Sequence, residues 1–250
     1  MIPRLASVER DRRWFRWALL LVLALAFAAR LRPWTNVFTP DGVALWCVDT
    51  HYYIRFARLQ LAAFPRFVTF DPFINFPDGA SIYWPPLHTW LLALAIAIVG
   101  GQRAEIAAAW LGPVLTLLDL LVVGLLARRW FGRRIALGVL VPLAFLPVAI
   151  ERAALGTADH HVHEGAWTAL SLLALAHALG SGRRRDAVVA GLILGAGRFF
   201  TPSAFGLFPL AGLVIAAWAL RAPAQAAGSA SVGATAGGVS AALLLAGSVA

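Results

Sequence analysis

The 250-residue sequence has no lysine, one cysteine and few charged side chains. Charged residues make up 13% of the chain, against about 25% in an ordinary soluble domain, while 60% of the residues are hydrophobic. This composition excludes a soluble globular protein. Cys47 is the only cysteine, so it cannot form an internal disulfide, and the cysteine count offers no pattern of a cysteine-based zinc site.

The absence of lysine also guides the interpretation of the net charge of +9, since all 21 basic residues are arginines. Many of these arginines stand in short clusters beside apolar runs, as membrane topology requires. A nucleic-acid-binding protein would instead gather them on one basic face. We therefore expect the lipid bilayer as a partner and no nucleic acid.

Apolar stretches that suit a hydrocarbon core of about 30 Å recur along the chain. Lipid satisfies no backbone hydrogen bonds, so these stretches must be helices, and the sequence predicts an all-α, polytopic membrane protein with one transmembrane domain over residues 1–250. The predicted spans are 14–33, 105–127, 134–150, 166–180, 186–200, 203–220 and 232–250. Residues 14–30 also fit a secretory signal, and this alternative stays open.

Arginine clusters decide which apolar segments cross the membrane. The arginine-rich flank of the first span places the N-terminus in the cytoplasm, and the clusters at 128–134 and 183–185 belong on the same side. All of these clusters face the cytoplasm only if the short apolar segment 86–100 does not cross the membrane. The sequence therefore predicts a long external loop over 34–104 that contains 86–100 as a re-entrant or interfacial helix.

The external loop carries a first polar group of residues, within 48–60. Asp49 stands near Arg55 and Arg58, which are three residues apart and so neighbours on a helix. A carboxylate beside an arginine pair suits a site for a metal and a diphosphate. The alternative is an amphipathic helix at the membrane surface whose charges are solvated.

A second polar group follows the span predicted at 134–150, on the same external side. Carboxylates and imidazoles are ligands for divalent cations such as Mn²⁺, so this group predicts a metal site, although histidine-rich loops also serve as pH sensors. Its ionisable members are Asp159, His160, His161, His163 and Glu164. The two-residue spacing of Asp159 and His161 lets an extended loop present both side chains on one side.

Two further polar residues lie next to apolar runs. Asp119 interrupts the apolar run 115–123, and we expect it to be protonated or hydrogen-bonded to a neighbouring helix. The spacing of His177 and Arg198 gives no support for either as its partner. His88 lies where the external loop re-enters the membrane, and an interfacial aromatic belt explains it as well as catalysis does.

The order of these pieces resembles the catalytic subunit of oligosaccharyltransferase in its bacterial and archaeal single-subunit form. The motifs are VDTHYYIRFAR from residue 48, NFPDGASIYWPPLH from residue 75 and RAALGTADHHVHE from residue 152. The resemblance implies a GT-C-type transmembrane bundle with a long first external loop.

The resemblance also implies residue roles. In the family, one Asp from the first external loop and an Asp-x-Asp or Asp-x-His motif from the second hold Mg²⁺ or Mn²⁺. The matching residues here are Asp49, Asp159 and His161, and Asp49 would in addition position the acceptor amide. Arg55 or Arg58 would bind the carrier phosphate. The accessory candidates are His160, His163, Glu164 and His88.

The implied reaction transfers an oligosaccharide from a polyprenyl (di)phosphate carrier to the Asn of an Asn-x-Ser/Thr acceptor, at the external face of the plasma membrane. The family's later catalytic Glu and its C-terminal soluble domain have no counterpart before Ala250. We therefore expect an N-terminal portion that is inactive alone.

Two other functions stay open at the sequence level. Another GT-C glycosyltransferase that uses a polyprenyl-phosphate sugar shares an acidic first loop. A transporter or divalent-ion permease would place its polar residues near the bilayer midplane. The metal site requires the ligand atoms of Asp49, Asp159 and His161 to converge within about 4–6 Å.

Overall fold

The computed structural model describes residues 2–221 and is mainly helical there. In this part of the chain the helices are α1 (Ile2–Arg30), α2 (Trp34–Val37), α3 (Val48–Ala63), α4 (Pro86–Val99), α5 (Ala104–Phe131), α6 (Arg133–Phe145), α7 (Pro147–Glu151), α8 (Glu164–Ser181), α9 (Arg184–Ala196) and α10 (Ala204–Arg221). Single 3₁₀ turns occupy Gly101–Arg103, His160–His163 and Gly197–Phe199.

Helix α5 lies at the centre, in contact with α1, α3, α4, α6 and α8. Apolar residues fill most of its 28 positions. Glu105 in its first turn and Arg128 and Arg129 in its last turn have charges that stabilise the helix dipole. Among the described residues, Gly101–Phe131 is the one stretch long and apolar enough to cross a membrane. Pro86–Val99 and Ala204–Trp218 are shorter apolar helices.

The other predicted spans overlap helices, but their crossing of a membrane stays a prediction, and 232–250 lies outside the described residues. One predicted span contains an interruption of the helix. The span 134–150 is broken, since α6 ends at Phe145 and α7 begins at Pro147. The residue before a proline avoids the helical region, and Leu146 accordingly has φ −56° and ψ 130°.

Arg30, at the end of α1, holds this break in place. Its side chain is 1% exposed and donates hydrogen bonds to the carbonyl oxygens of Ala26, Ala144 and Ala149, at 2.9, 3.0 and 3.1 Å. Its own backbone carbonyl accepts from the N–H of Leu155 at 2.9 Å. One residue therefore fixes the segment that leads from α6 to the second polar motif.

The loop predicted over 34–104 is a folded unit. It contains α3 and α4, which pack on each other and on α5, and a core that includes Tyr53, Leu92 and Ile96. It also contains two antiparallel strand pairs, so the all-α prediction misses a small β component. These strands are β1 (Phe38–Thr39) with β2 (Gly42–Val43), and β3 (Phe70–Asp71) with β4 (Ala80–Ser81).

Candidate metal centre

The backbone of residues 155–158 brings the second motif against the loop predicted over 34–104. Gly156 has φ +90°, donates its N–H to the carbonyl of Ala109 at 3.0 Å and accepts from the N–H of Trp46 at 3.1 Å. A Cβ at Gly156 would lie 2.6 Å from Trp46 Cδ1, so only glycine fits here. The N–H of Ala158 then donates to Thr50 Oγ1 at 3.0 Å, which ties this loop to the first turn of α3.

Asp159 lies at the centre of the candidate site. It has an extended backbone, caps the 3₁₀ turn His160–His163 and is 1% exposed. Its Oδ1 lies 2.8 Å from His160 Nδ1. Its Oδ2 is buried and has no hydrogen-bond partner among the described residues, with Arg152 Nη1 at 3.8 Å. A buried carboxylate oxygen without a partner is unfavourable unless a ligand satisfies it, so this atom fits a cation.

Asp49 comes from the exposed first turn of α3 and reaches the same place. Ligand atoms of Cys47, Asp49 and Asp159 all lie within 4.8 Å of one another. Ligand atoms of Asp159, His160 and His161 form a second such group. The structure thus brings Asp49 and His161 each beside Asp159. It also places Cys47 there, although a count of cysteines gave no reason to consider a thiol ligand.

Two effects on the pKa of Asp159 oppose each other. Burial raises it, but the hydrogen bond from His160 and the neighbouring rings of His160 and His161 outweigh burial, and the pKa is lowered. Asp159 is therefore an anion at neutral pH. Tyr53 contacts the same histidine, with its hydroxyl 2.7 Å from His160 Nδ1, and burial raises the pKa of Tyr53, so the phenol stays neutral.

His161 lies between two carboxylates. Its Nε2 is 3.7 Å from Asp159 Oδ2, and its Nδ1 is 2.9 Å from Glu164 Oε2. Glu164 Oε1 accepts from Thr201 Oγ1 at 3.1 Å and from the Ser203 hydroxyl. Burial raises the pKa of Glu164, but the hydrogen bonds from Ser203, His161 and Thr201 outweigh it, and the pKa is lowered. Glu164 therefore links the motif to the turn before α10.

His163 and His88 lie deeper than the other accessory candidates. His163 Nδ1 lies 2.9 Å from Asp119 Oδ2, a partner that no sequence spacing indicated. His88 is fully buried, with its ring 5.0 Å from that of Tyr53 and 5.8 Å from that of His163. His88 therefore lies inside the protein, between Tyr53 and His163. Burial, followed by the proximity of His163, lowers the pKa of His88 to about 3, so the ring is neutral.

The two arginines predicted to bind phosphate each face a carboxylate. Arg55 pairs with the buried Asp71, with Nη1 to Oδ1 at 2.9 Å, and Arg58 Nη2 lies 3.2 Å from Glu105 Oε1. They border an open cavity of about 350 Å³. Arg152, about half exposed, is nearer to the candidate ligands, at 3.8 Å from Asp159.

A larger cavity, of about 630 Å³, opens beside the candidate site. Its lining is mainly aromatic and apolar and includes Trp84, Trp90 and Phe205, with Arg198 as its cation. The Trp84 ring lies 5.8 Å from the ring of His160, so the two sites adjoin. The guanidinium of Arg198 lies over the Phe205 ring, 5.4 Å from its centre. We call this cavity the aromatic groove.

Comparisons with known proteins agree with the motifs. Residues 84–247 match the family described as dolichyl-phosphate-mannose-protein mannosyltransferase. A curated relative, dolichyl-phosphooligosaccharide-protein glycotransferase 3 of Archaeoglobus fulgidus, is 30% identical over 175 residues, which is 66% of this chain and 20% of the relative. The chain thus spans about a fifth of the length of that protein.

Solved structures of archaeal oligosaccharyltransferases share the fold. The AglB enzyme of Archaeoglobus fulgidus, in complex with an inhibitory peptide and a dolichol-phosphate, has a TM-score of 0.70 and 26% identity over 82% of this chain and 25% of its own. A complex of an oligosaccharyltransferase of that organism with Zn and sulfate has a TM-score of 0.67 and 26% identity, over 80% of this chain and 26% of its own. These matches confirm the resemblance predicted from the motifs.

Proposed function

The chain belongs to the dolichyl-phosphate-mannose-protein mannosyltransferase family. From its similarity to archaeal oligosaccharyltransferases, we propose that it is part of a metal-dependent oligosaccharyltransferase. The enzyme would move an oligosaccharide from a polyprenyl (di)phosphate carrier to the Asn of an Asn-x-Ser/Thr acceptor. The observation that carries the proposal is the convergence of Asp49 and Asp159 within 4.8 Å, from motifs about 110 residues apart.

The proposed location is a cell membrane that the chain crosses several times. The N-terminus would face the cytoplasm, and the external loop with the candidate site would face the outside. The positive-inside distribution of arginines supports this orientation. A site at the external surface suits a carrier whose lipid tail stays in the bilayer.

Asp49, Asp159 and His161 are the proposed metal ligands, and the unsatisfied Oδ2 of Asp159 supports this assignment. A divalent ion bound there would offset the negative charge that develops on the leaving phosphate. A set of carboxylates with one imidazole suits Mn²⁺ or Mg²⁺, and the zinc complex of the relative indicates that such a fold accepts a divalent ion.

The other residues bind and orient the substrates. Asp49 is exposed at the edge of the site, where its carboxylate can hold the acceptor amide in line for attack. The aromatic groove would take the first part of the polyprenyl tail, since its lining is apolar. Arg152 is the preferred phosphate-binding residue, because Arg55 and Arg58 face Asp71 and Glu105.

Binding of the metal and the carrier by the chain itself tests the proposal. In lipid nanodiscs, Mn²⁺ titrations followed by electron paramagnetic resonance should show one saturable site. Native mass spectrometry should show a polyprenyl-phosphate oligosaccharide that binds more tightly when Mn²⁺ is present. Asp49→Asn should weaken Mn²⁺ binding by at least about tenfold, since even the outer partners of metal ligands contribute that much.

Asp41→Asn is the matched control, because Asp41 is an exposed carboxylate of the same external loop. It should leave Mn²⁺ binding unchanged. Equal loss in both variants, or no saturable Mn²⁺ site in the unaltered chain, would overturn the metal centre. The family description favours a second candidate, transfer of a single mannose, and preference for dolichyl-phosphate mannose over the oligosaccharide carrier would support it.

A further inference from the structure

A second polar cavity lies at the end of α8 that is opposite the candidate metal centre, where α5 and α8 end and α9 begins. Its volume is about 550 Å³, and its lining includes Arg129, His177, Arg183, Arg185 and Asp186. We call it the arginine cavity. The proposed transfer reaction uses none of these residues, so the arginine cavity has a separate role.

A short turn brings two of the arginines to this place. Gly182, with φ +63°, ends α8 and donates its N–H to the carbonyl of Ala178 at 3.0 Å, in the left-handed conformation that glycine favours. The chain then reverses into α9, which packs on α8, and Arg183 and Arg185 line the cavity together with Arg129 of α5. Within the described residues none of these three arginines forms an ion pair, and all three are exposed. Their charge is therefore available to an anion.

Asp186 adds a requirement for a hydrogen-bond donor. Its Oδ2 is buried and has no hydrogen-bond partner among the described residues, and His177 Nε2 is 3.5 Å away. The His177 ring is held by Trp130, which stacks on it at 5.4 Å and 14°. A buried carboxylate oxygen without a donor is unfavourable. A fully ionised inorganic anion has no donor to offer, whereas the hydroxyl of a polyol has one.

The position of the cavity along the helices suits a lipid headgroup. The apolar stretch Gly101–Phe131 has 31 residues, about 46 Å at 1.5 Å per residue, and a bilayer with its headgroups is about 40–45 Å thick. A stretch of this length that crosses a membrane ends at headgroup level, where Arg129 and Trp130 lie. Leu126 and Val189 also line the cavity and offer apolar surface to an acyl chain. Basic pockets between membrane helices bind anionic headgroups in this way.

We propose that the arginine cavity binds the headgroup of an anionic phospholipid in which the phosphate is esterified to a polyol such as glycerol. The three arginines bind the phosphate oxygens, and a hydroxyl of the polyol donates to Asp186 Oδ2. Because the arginines outnumber the one carboxylate of the lining, the cavity is positive and attracts the phosphate. The arginine cavity shares no residue with the metal centre, so the two sites stand or fall separately.

Headgroup selectivity tests the role of Asp186. Native mass spectrometry of the full chain measures the binding of phosphatidylglycerol, phosphatidylethanol and phosphatidylcholine. The first two lipids carry the same negative charge, but only phosphatidylglycerol has free hydroxyls. Phosphatidylglycerol should bind about tenfold more tightly than phosphatidylethanol, since its hydroxyl bonds to a charged group, and phosphatidylcholine should bind most weakly. Asp186→Leu should abolish the preference for phosphatidylglycerol over phosphatidylethanol, and equal binding of these two lipids by the unaltered chain would overturn the polyol assignment.

The arginines are tested one at a time. Arg183→Gln and Arg185→Gln should each weaken phosphatidylglycerol binding by about fivefold, the usual contribution of one arginine near an anionic membrane surface. Arg184→Gln is the matched control, because Arg184 stands between them in sequence, is exposed and lies outside the cavity lining. It should weaken binding by less than about twofold. Equal losses in the three variants would show that the arginines act only as diffuse surface charge, and the cavity would not be a site.

A soluble ester distinguishes the two possible sources of the headgroup. Glycerol 3-phosphate, added at the same concentration as phosphatidylglycerol, should not displace the lipid, because it lacks the acyl chains that contact the apolar part of the lining. Displacement would assign the cavity to a soluble polyol phosphate and overturn the lipid as its occupant. Mn²⁺ binding by Arg183→Gln should equal that of the unaltered chain, and a loss there would contradict the independence of the two sites.

Discussion

The two ends of helix α8 carry the same pair of residue types in different surroundings. Before its first turn, His163 lies 2.9 Å from Asp119 and follows the buried Asp159 by four residues. Near its last turn, His177 lies 3.5 Å from Asp186, with its ring stacked on Trp130 at 5.4 Å. Each end therefore has a histidine and an aspartate within reach of each other.

What differs is how the negative charge is balanced. The cavity around His177 and Asp186, about 550 Å³, is lined by three arginines, Arg129, Arg183 and Arg185. Around Asp159, the surrounding groups are histidines and further carboxylates, and the nearest arginine contact is 3.8 Å long. Asp186 Oδ2 is also buried without a hydrogen-bond partner among the described residues, but the positive charge of three arginines in its cavity opposes the binding of a cation. A histidine and an aspartate within reach of each other therefore do not by themselves define a metal site.

The strongest test of this comparison is the loss of one carboxylate at each end. Asp159→Asn should reduce Mn²⁺ affinity by at least about 100-fold, because it removes the charge of the central proposed ligand. Asp186→Asn should leave that affinity unchanged, because Asp186 lies among arginines. Electron paramagnetic resonance titrations of both variants provide the measurement. Similar losses in the two would show that burial and arginine content do not distinguish the ends.

A second test concerns two glycines with similar backbones. Gly156 (φ +90°) lies beside the candidate site, and Gly132 (φ +87°) follows the arginine-flanked end of α5. A Cβ at Gly156 would clash with Trp46 and Val37, whereas no described atom lies within 4 Å of one at Gly132. Gly156→Ala should therefore destabilise the fold by about 2–4 kcal/mol, and Gly132→Ala by about 1–2 kcal/mol. Thermal unfolding in nanodiscs measures both, and equal shifts would contradict the packing argument.

The smallest effects are expected at two ion pairs that α3 makes with Asp71 and with the start of α5. Asp71→Asn should lower the free energy of unfolding by about 1–2 kcal/mol. Asp71 is buried, which strengthens its pair with Arg55, while the 35% exposure of Arg55 limits the effect. Glu105→Gln should lower the free energy of unfolding by less than about 0.5 kcal/mol, since Arg58 and Glu105 are both over 40% exposed. Unfolding temperatures at neutral pH should rank the variants in this order.

The ion pair of Arg55 and Asp71 also predicts that the stability of the fold depends on pH. The hydrogen bond from Arg55 lowers the pKa of Asp71 below its value in the unfolded chain, which is about 3.9. The pair therefore stabilises fully above that unfolded value, and its contribution is lost as the pH falls through the folded pKa. The stability difference between the unaltered chain and Asp71→Asn should shrink below about pH 4. A constant difference down to pH 2 would contradict the ion pair.

The sequence predicted the helical class and the family, because these depend on composition and motif order, whereas the external side of the loop stays a prediction. The sequence did not predict the contacts that build the site. Thr50 and Tyr53 meet residues 108 and 107 positions away, and no local spacing encodes such contacts. A single cysteine cannot form a disulfide, and no motif marks Cys47 as a ligand, yet its thiol reaches the carboxylates because it directly precedes the first turn of α3.

Arg30 has a consequence for the order in which the protein assembles. Its guanidinium is synthesised with α1, but two of its acceptors, the carbonyls of Ala144 and Ala149, follow more than 110 residues later. Until α6 and α7 dock, the guanidinium can reach only the carbonyl of Ala26 and water, because its other two acceptors are not in place. The same docking brings Leu155 to Arg30, so the segment that leads to the candidate site is positioned only when these helices meet.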